Sequence, residues 1–169
     1  MKKSCSTLGI LIIVILGTVY AYSQIVSGLS QLSDSVVVAV QAKKPNWKYH
    51  AVSPIDGSAD LILQQWTLDS QSLRIAIIPH PSAADASRVM RALATNSRGR
   101  QDNEGLGDEA VSWGKNTISF RRRNFTVDIS VVTISPTLSA TESSDREADE
   151  RKLCKEFARI VAEAIKDSR

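Results

Sequence analysis

Leu29, Leu32, Val36, Val37 and Val40 recur at steps of three, four and seven, the repeat of one apolar helix face. Pro45 closes that helix, and Lys43 and Lys44 suit its negative end. Trp47 to Asp60 carries Pro54 and Gly57 and reads as a connecting loop. Leu61 to Leu68 and Leu73 to Ile78 are apolar runs with β-branched content, separated by Asp69-Ser70-Gln71-Ser72, which predicts a hairpin with a four-residue turn. In the second run Leu73, Ile75 and Ile77 share one face and Arg74 takes the other. Pro79-His80-Pro81 ends the strand, because proline supplies no backbone donor.

Ser82 followed three residues later by Asp85 has the form of a capping box and predicts a helix start, with Ala86, Val89, Met90 and Leu93 on its buried face. Asn96 to Gly107 is a polar surface loop. Three strands are expected next: Glu109 to Trp113, Thr117 to Arg122, and Phe125 to Ile134. A two-residue turn at Arg123-Asn124 pairs Arg122 with Phe125, Phe120 with Val127, and Ile118 with Ile129. Arg121 then meets Thr126 and Ser119 meets Asp128 on the opposite face; a slip of one residue would turn Asp128 into the core. Pro136 to Ser144 reads as a linker, Ser144 with Glu147 as a second capping box, and the last helix runs to about Lys166. Leu153, Phe157, Ile160, Val161, Ala164 and Ile165 form the stripe it buries.

The order is αββαβββα. Hairpin-length connections imply an antiparallel sheet of about five strands whose apolar face must be covered by helices, so the fold class is α+β with two layers.

The N-terminus adds a location. Lys2 and Lys3 precede the apolar run Leu8 to Val19, and Ala21 and Ser23 have the spacing of a cleavage site before Gln24. Residues 1–23 are expected to be a signal peptide and 24–169 a single exported domain, periplasmic or secreted. The alternative is an uncleaved membrane anchor, since Ile25 and Val26 could extend the run toward the length of a span. Either way the positive end stays on the cytoplasmic side. Cys5 lies before the apolar run, which does not fit a lipid-attachment cysteine. Removing Lys2 and Lys3 lowers the net charge from +3 to about +1, which gives no support to a nucleic-acid partner. Cys154 is then the only thiol, so no internal disulfide forms; its ordinary reading is a partly buried core thiol, and a disulfide between two copies in an oxidising compartment is the sharper, less favoured one.

The candidate chemistry is sparse. Gly105-Leu106-Gly107-Asp108-Glu109-Ala110 leads into a strand instead of a helix and lacks the Lys-Ser or Lys-Thr of a phosphate loop, so it reads as a turn at positive φ. His50 and His80 are the only histidines, too few for a zinc site without cysteines at local spacing; no metal or cofactor is expected. There is no Gly-x-Ser-x-Gly elbow. Arg121, Arg122 and Arg123 are the one short basic cluster; strand alternation sends the first two to opposite faces, with Arg121 within diagonal reach of Asp128. A solvated hairpin tip is the ordinary reading, and an anionic-ligand site the sharper one. Trp47, Trp66 and Trp113 read as core anchors. Asn124-Phe125-Thr126 is a formal glycosylation sequon in a tight turn.

The Gly-x-Gly-Asp-Glu-Ala turn, the strand after it, the Phe-Arg-Arg-x-Asn hairpin and the terminal helix together resemble several poorly characterised exported bacterial domains over about Gly105 to Lys166, with Arg123 where such a hairpin carries glycine. That resemblance implies export and brings no active-site residues. The expected function is therefore a non-catalytic domain that binds another protein of the envelope or extracellular space, touching the membrane only if its N-terminal segment is retained. The competing expectation is an envelope hydrolase, which would need Asp108, Glu109 and His80 to converge in a pocket.

Overall fold

The computed structural model describes residues 28–53, 61–96, 105–113, 116–134 and 140–167. The expected signal peptide lies outside the described residues. In chain order the elements are a helix over 28–43 (α1), β1 (Lys48–Ala51), β2 (Ile62–Leu68), β3 (Gln71–Pro79), α2 (Ala83–Asn96), β4 (Glu109–Trp113), β5 (Thr117–Arg122), β6 (Phe125–Thr133) and α3 (Ala140–Asp167). The strands form one antiparallel sheet in the order β1-β2-β3-β6-β5-β4. This is the expected α+β fold, with six strands instead of five. The extra strand, β1, falls in the stretch read as a loop. Only its Tyr49 is drawn partly inside, packing on Trp66 at 5.1 Å, and one inward residue leaves no alternation to detect.

The central pairing is β3 with β6, where Leu73, Ile75 and Ile77 lie opposite Val131, Ile129 and Val127. These six, with Ile118 and Phe120 of β5, are fully buried or nearly so. Leu32, Val36 and Val40 of α1 and Phe157, Val161 and Ile165 of α3 close over them. We call this side of the sheet the inner face. Trp47 packs edge-on against Phe157, with ring centroids 5.0 Å apart. Gln64 of β2 is buried beside Trp66. Its Nε2 donates to the Ser33 carbonyl and hydroxyl, both at 3.1 Å, so α1 is bonded to the sheet as well as packed on it.

The β5–β6 register is the one expected from the sequence, residue for residue. The β2–β3 turn is tighter than expected: Leu68 pairs Gln71, leaving only Asp69-Ser70 in the turn, with Asp69 at φ +50. Asp tolerates that left-handed geometry, which is how a turn lacking glycine closes on two residues. Ser82 caps α2: its Oγ accepts from the Asp85 amide at 3.1 Å and donates to Asp85 Oδ2 at 2.7 Å. Ala86 and Met90 are buried as expected, but Val89 is exposed. Ser144 is not a cap, because α3 is already helical from Ala140. A Ser-x-x-Glu pattern marks a helix start only where the preceding chain leaves the helix.

Glu150 was not singled out by the sequence, yet it is 4% exposed on α3. Its Oε1 accepts from the Thr133 amide at 2.9 Å and its Oε2 from Asn116 Nδ2 at 2.7 Å, which supplies the partners a buried carboxylate needs. Among the described residues no helix is long and apolar enough to cross a membrane.

Candidate functional site

α1 and α3 cover the inner face, but among the described residues the other face is covered only at one end. There α2 packs against β4, β5 and β6. Its Ser87 Oγ donates to Glu109 Oε1 at 2.7 Å, and Val111, Ser119 and Thr126 are buried beneath this end. The Arg121–Thr126 and Ser119–Asp128 pairs are therefore not solvated, as simple alternation would have them. Over β1, β2 and β3, with the adjoining ends of the other strands, no helix of the described residues lies on the sheet.

The pairing register places two rows of side chains on this bare surface. One runs His50, Gln65, Arg74, Ser130, Thr117, Trp113, and crosses all six strands. At about 4.8 Å per strand it is about 24 Å long. The second runs Lys48, Thr67, Ser72, Val132. Lys48, His50, Arg74 and Val132 are exposed. Hydroxyl and amide groups between them are tied to one another: His50 Nε2 to Thr67 Oγ1 at 2.9 Å, and Gln65 Nε2 to Ser72 Oγ at 3.3 Å. Among the described residues neither Lys48 nor Arg74 has a carboxylate partner. Alternation in β3 made Arg74 legible as outward; Lys48 was not, since its strand was unseen.

Trp113 ends the first row, 37% exposed, and is thus no core anchor, unlike Trp47 and Trp66. Its Nε1 donates to Ser119 Oγ at 2.6 Å, and Ser119 in turn donates to Asp128 Oδ1. Burial raises the Asp128 carboxyl above its ordinary value, against the opposing pull of the Ser119 bond. Ser119 is fully buried, so this Ser–Asp pair offers no nucleophile to a substrate.

The arginine cluster lies at the opposite end of the sheet from Trp113. Gly105 and Gly107 take φ +83 and +65, Leu106 is buried between them, and the Asp108 amide donates to the Arg121 carbonyl at 2.8 Å. Asp108 Oδ2 then accepts from Arg121 Nη1 at 3.0 Å and from the Arg123 amide at 2.9 Å, while its Oδ1 lies 3.4 Å from Arg122 Nη1. Glu109 Oε1 takes Arg121 Nε at 2.9 Å. Arg123, at φ +55 where glycine is the usual residue, donates from Nη2 to the Lys166 carbonyl at 3.2 Å. Arg121 thus reaches Asp108 and Glu109, not Asp128. Although Arg121 and Arg122 leave the strand on opposite sides, both reach Asp108, which stands beside the strand end. All three arginines meet acceptors of the chain itself, joining the glycine turn, the hairpin and the end of α3.

His80 does not join this group. Its Nε2 bonds Thr126 Oγ1 at 2.9 Å, and Arg121 stands between Thr126 and Glu109 in the cross-strand row. Asn124 of the sequon donates its Nδ2 to the His80 carbonyl at 2.9 Å. Cys154 is fully buried with Sγ 3.1 Å from the Ile129 carbonyl, and burial pushes its thiol up to about 12. Among the described residues no three His, Cys, Asp or Glu side chains are grouped to hold a metal ion. No protein-family model, curated protein or solved structure matches this chain, so its own geometry carries the functional reading.

Proposed function

We propose that this chain is an exported, non-catalytic binding domain that docks an acidic, extended segment of another envelope or extracellular protein on the bare face of its sheet. The observation that carries this reading is the pair of rows that, among the described residues, is uncovered and holds Lys48 and Arg74 without a carboxylate partner among hydroxyls and amides. Of the exposed apolar side chains, Val38 and Val89 lie on helices, whereas Trp113 and Val132 stand in the two rows and Ile134 just beyond β6, so a docked segment would meet apolar contacts beside the charged and polar groups. Two rows about 7 Å apart, one about 24 Å and the other about 14 Å long, present on the order of 300 Å². That is well short of the roughly 800 Å² per partner of a standard protein complex, and fits one strand-like segment or a transient contact.

The test is a photo-crosslinking amino acid placed at position 74 and, as control, at exposed Val38 on α1, with irradiation in the native envelope. A discrete adduct from position 74 only, lost on Lys48→Glu, supports the reading. No adduct at 74, or the same adducts from both positions, overturns it. Mass spectrometry of the mature N-terminus tests export: Gln24 as first residue identifies the cleaved form, and a retained 1–23 the tethered one.

A further inference from the structure

We infer that the outer side of α3 is a seat for anionic lipid headgroups, so that the domain rests on a phosphate-bearing membrane surface through its helical layer. A shallow, open concavity of about 530 Å³ runs along this helix, lined by Ala148, Arg151, Lys152, Lys155, Glu156 and Arg159. Four of these six are cations, and the span from 151 to 159 covers about 12 Å of helix. The single acid, Glu156, is already bonded to Lys44 at 2.6 Å. Of the other carboxylates on α3, Glu150 is drawn into the interior toward Thr133 and Asn116 and Glu163 pairs with Lys43 at 2.7 Å, while Asp145 and Asp149 are exposed at the N-terminal side of the cations. Among the described residues Lys152, Lys155 and Arg159 have no carboxylate partner.

Arg151, Lys155 and Arg159 stand at successive i,i+4 positions, where like charges oppose helix formation by about 0.2–0.5 kcal/mol per pair. Arg151 Nε reaches the Glu147 carbonyl at 3.5 Å, but the repulsion among the three cations works against the helix, and a bound anion would reverse it. A net charge near zero for the exported chain conceals it, because over 150–163 Glu150 points inward and Glu156 and Glu163 toward α1, while Lys152 and Arg159 are exposed.

The position of the concavity favours a membrane over a soluble anion. α1 and α3 share one layer, joined by the Lys43–Glu163 and Lys44–Glu156 pairs. The described part of α1 begins at residue 28, so the apolar run Leu8 to Val19 precedes that same layer along the chain. The cations therefore belong to the layer that the apolar segment leads into, on the far side of the sheet from the face proposed for protein docking. A polybasic surface contributes about 1 kcal/mol per Lys or Arg near an anionic leaflet, so the seat holds whether or not the apolar segment is retained.

The experiment uses the chain from Gln24 to Arg169. Among the described residues every buried apolar side chain lies between Leu29 and Ile165, so this chain keeps the described core. It is sedimented with vesicles of phosphatidylglycerol and phosphatidylcholine in equal parts, and with phosphatidylcholine alone. Binding is expected only to the anionic vesicles, and high salt should release it. Lys152→Ala with Arg159→Ala should weaken it by about 30-fold with unchanged thermal unfolding. Lys48→Glu with Arg74→Glu should leave it intact, which separates this seat from the docking face. Equal binding to both vesicle types, or undiminished binding by the Lys152/Arg159 variant, overturns the inference. So does saturable binding of tripolyphosphate by a chain that ignores the anionic vesicles, which would make this a soluble-anion site.

Discussion

Gly105 and Gly107 both take positive φ, but an added Cβ meets different surroundings at the two positions, and that difference can be measured. At Gly105 a Cβ finds nothing within 4 Å, so Gly105→Ala bears only the left-handed backbone cost, about 1 kcal/mol. At Gly107 the Cβ would fall on the Arg121 carbonyl oxygen, with Phe120 Cδ2 at 3.1 Å. A backbone carbonyl cannot rotate aside as a flexible side chain can. The turn must move, which stretches the Asp108 amide bond to that same oxygen, a loss of about 1 kcal/mol. It also withdraws the Asp108 carboxylate from Arg121, Arg122 and the Arg123 amide, partly exposed contacts that together contribute about 1 kcal/mol more. Gly107→Ala should therefore cost about 3 kcal/mol, some 2 more than Gly105→Ala. With a urea dependence near 2 kcal/mol per molar, the two midpoints should separate by about 1 M. Equilibrium unfolding in urea, followed by the fluorescence of buried Trp66, reads this directly. If the two variants unfold at the same midpoint, the close approach of Gly107 to β5 has no energetic role and the account of this turn is wrong.

Glu150→Ala should destabilise by about 2–4 kcal/mol in the same assay, because the Thr133 amide and Asn116 Nδ2 lose their acceptor, while Glu150→Gln keeps an acceptor oxygen and should cost clearly less; equal losses would argue against those bonds. Asp128 gives a pH signature: burial raises its folded value above 3.8, so between 3.8 and that raised value the native state holds the proton more firmly than the unfolded chain. Stability contributed there falls as pH rises through the window and stays lowered above it. Asp128→Asn should accordingly be more stable than the parent at neutral pH and lose that slope, and a superimposable stability–pH curve would refute the point. Cys154, with its thiol pushed up to about 12, should resist a chromogenic disulfide reagent at mildly alkaline pH in the native 24–169 chain and react fully in denaturant; rapid native labelling would contradict its burial.

Much of the architecture was legible because it is local or nearly so. Apolar spacing in α1 and α3, the Ser82–Asp85 cap, and the β5–β6 register each depend on residues a few positions apart, or on one turn that leaves Asp128 a single tolerable side. Alternation tells which residues leave a strand together, but not what waits on each side. Hence Ser119 and Thr126 were expected in water and lie buried, while Trp113 was expected in the core and is exposed: α2 crosses back over one end of the outer face and stops there. Arg121 and Arg122 diverge along the strand, yet both reach Asp108, because the glycine turn brings a distant carboxylate to the strand end. Glu150 looked like one acid among several until Thr133 and Asn116 arrived from the sheet to bond it. The sequence by itself determined every element but β1, and most of their apolar faces, since periodicity is a property of neighbours along the chain. Only the tertiary structure decided which faces remain bare and where charge gathers, because covering a surface and pairing a charge require partners that the chain supplies from far away.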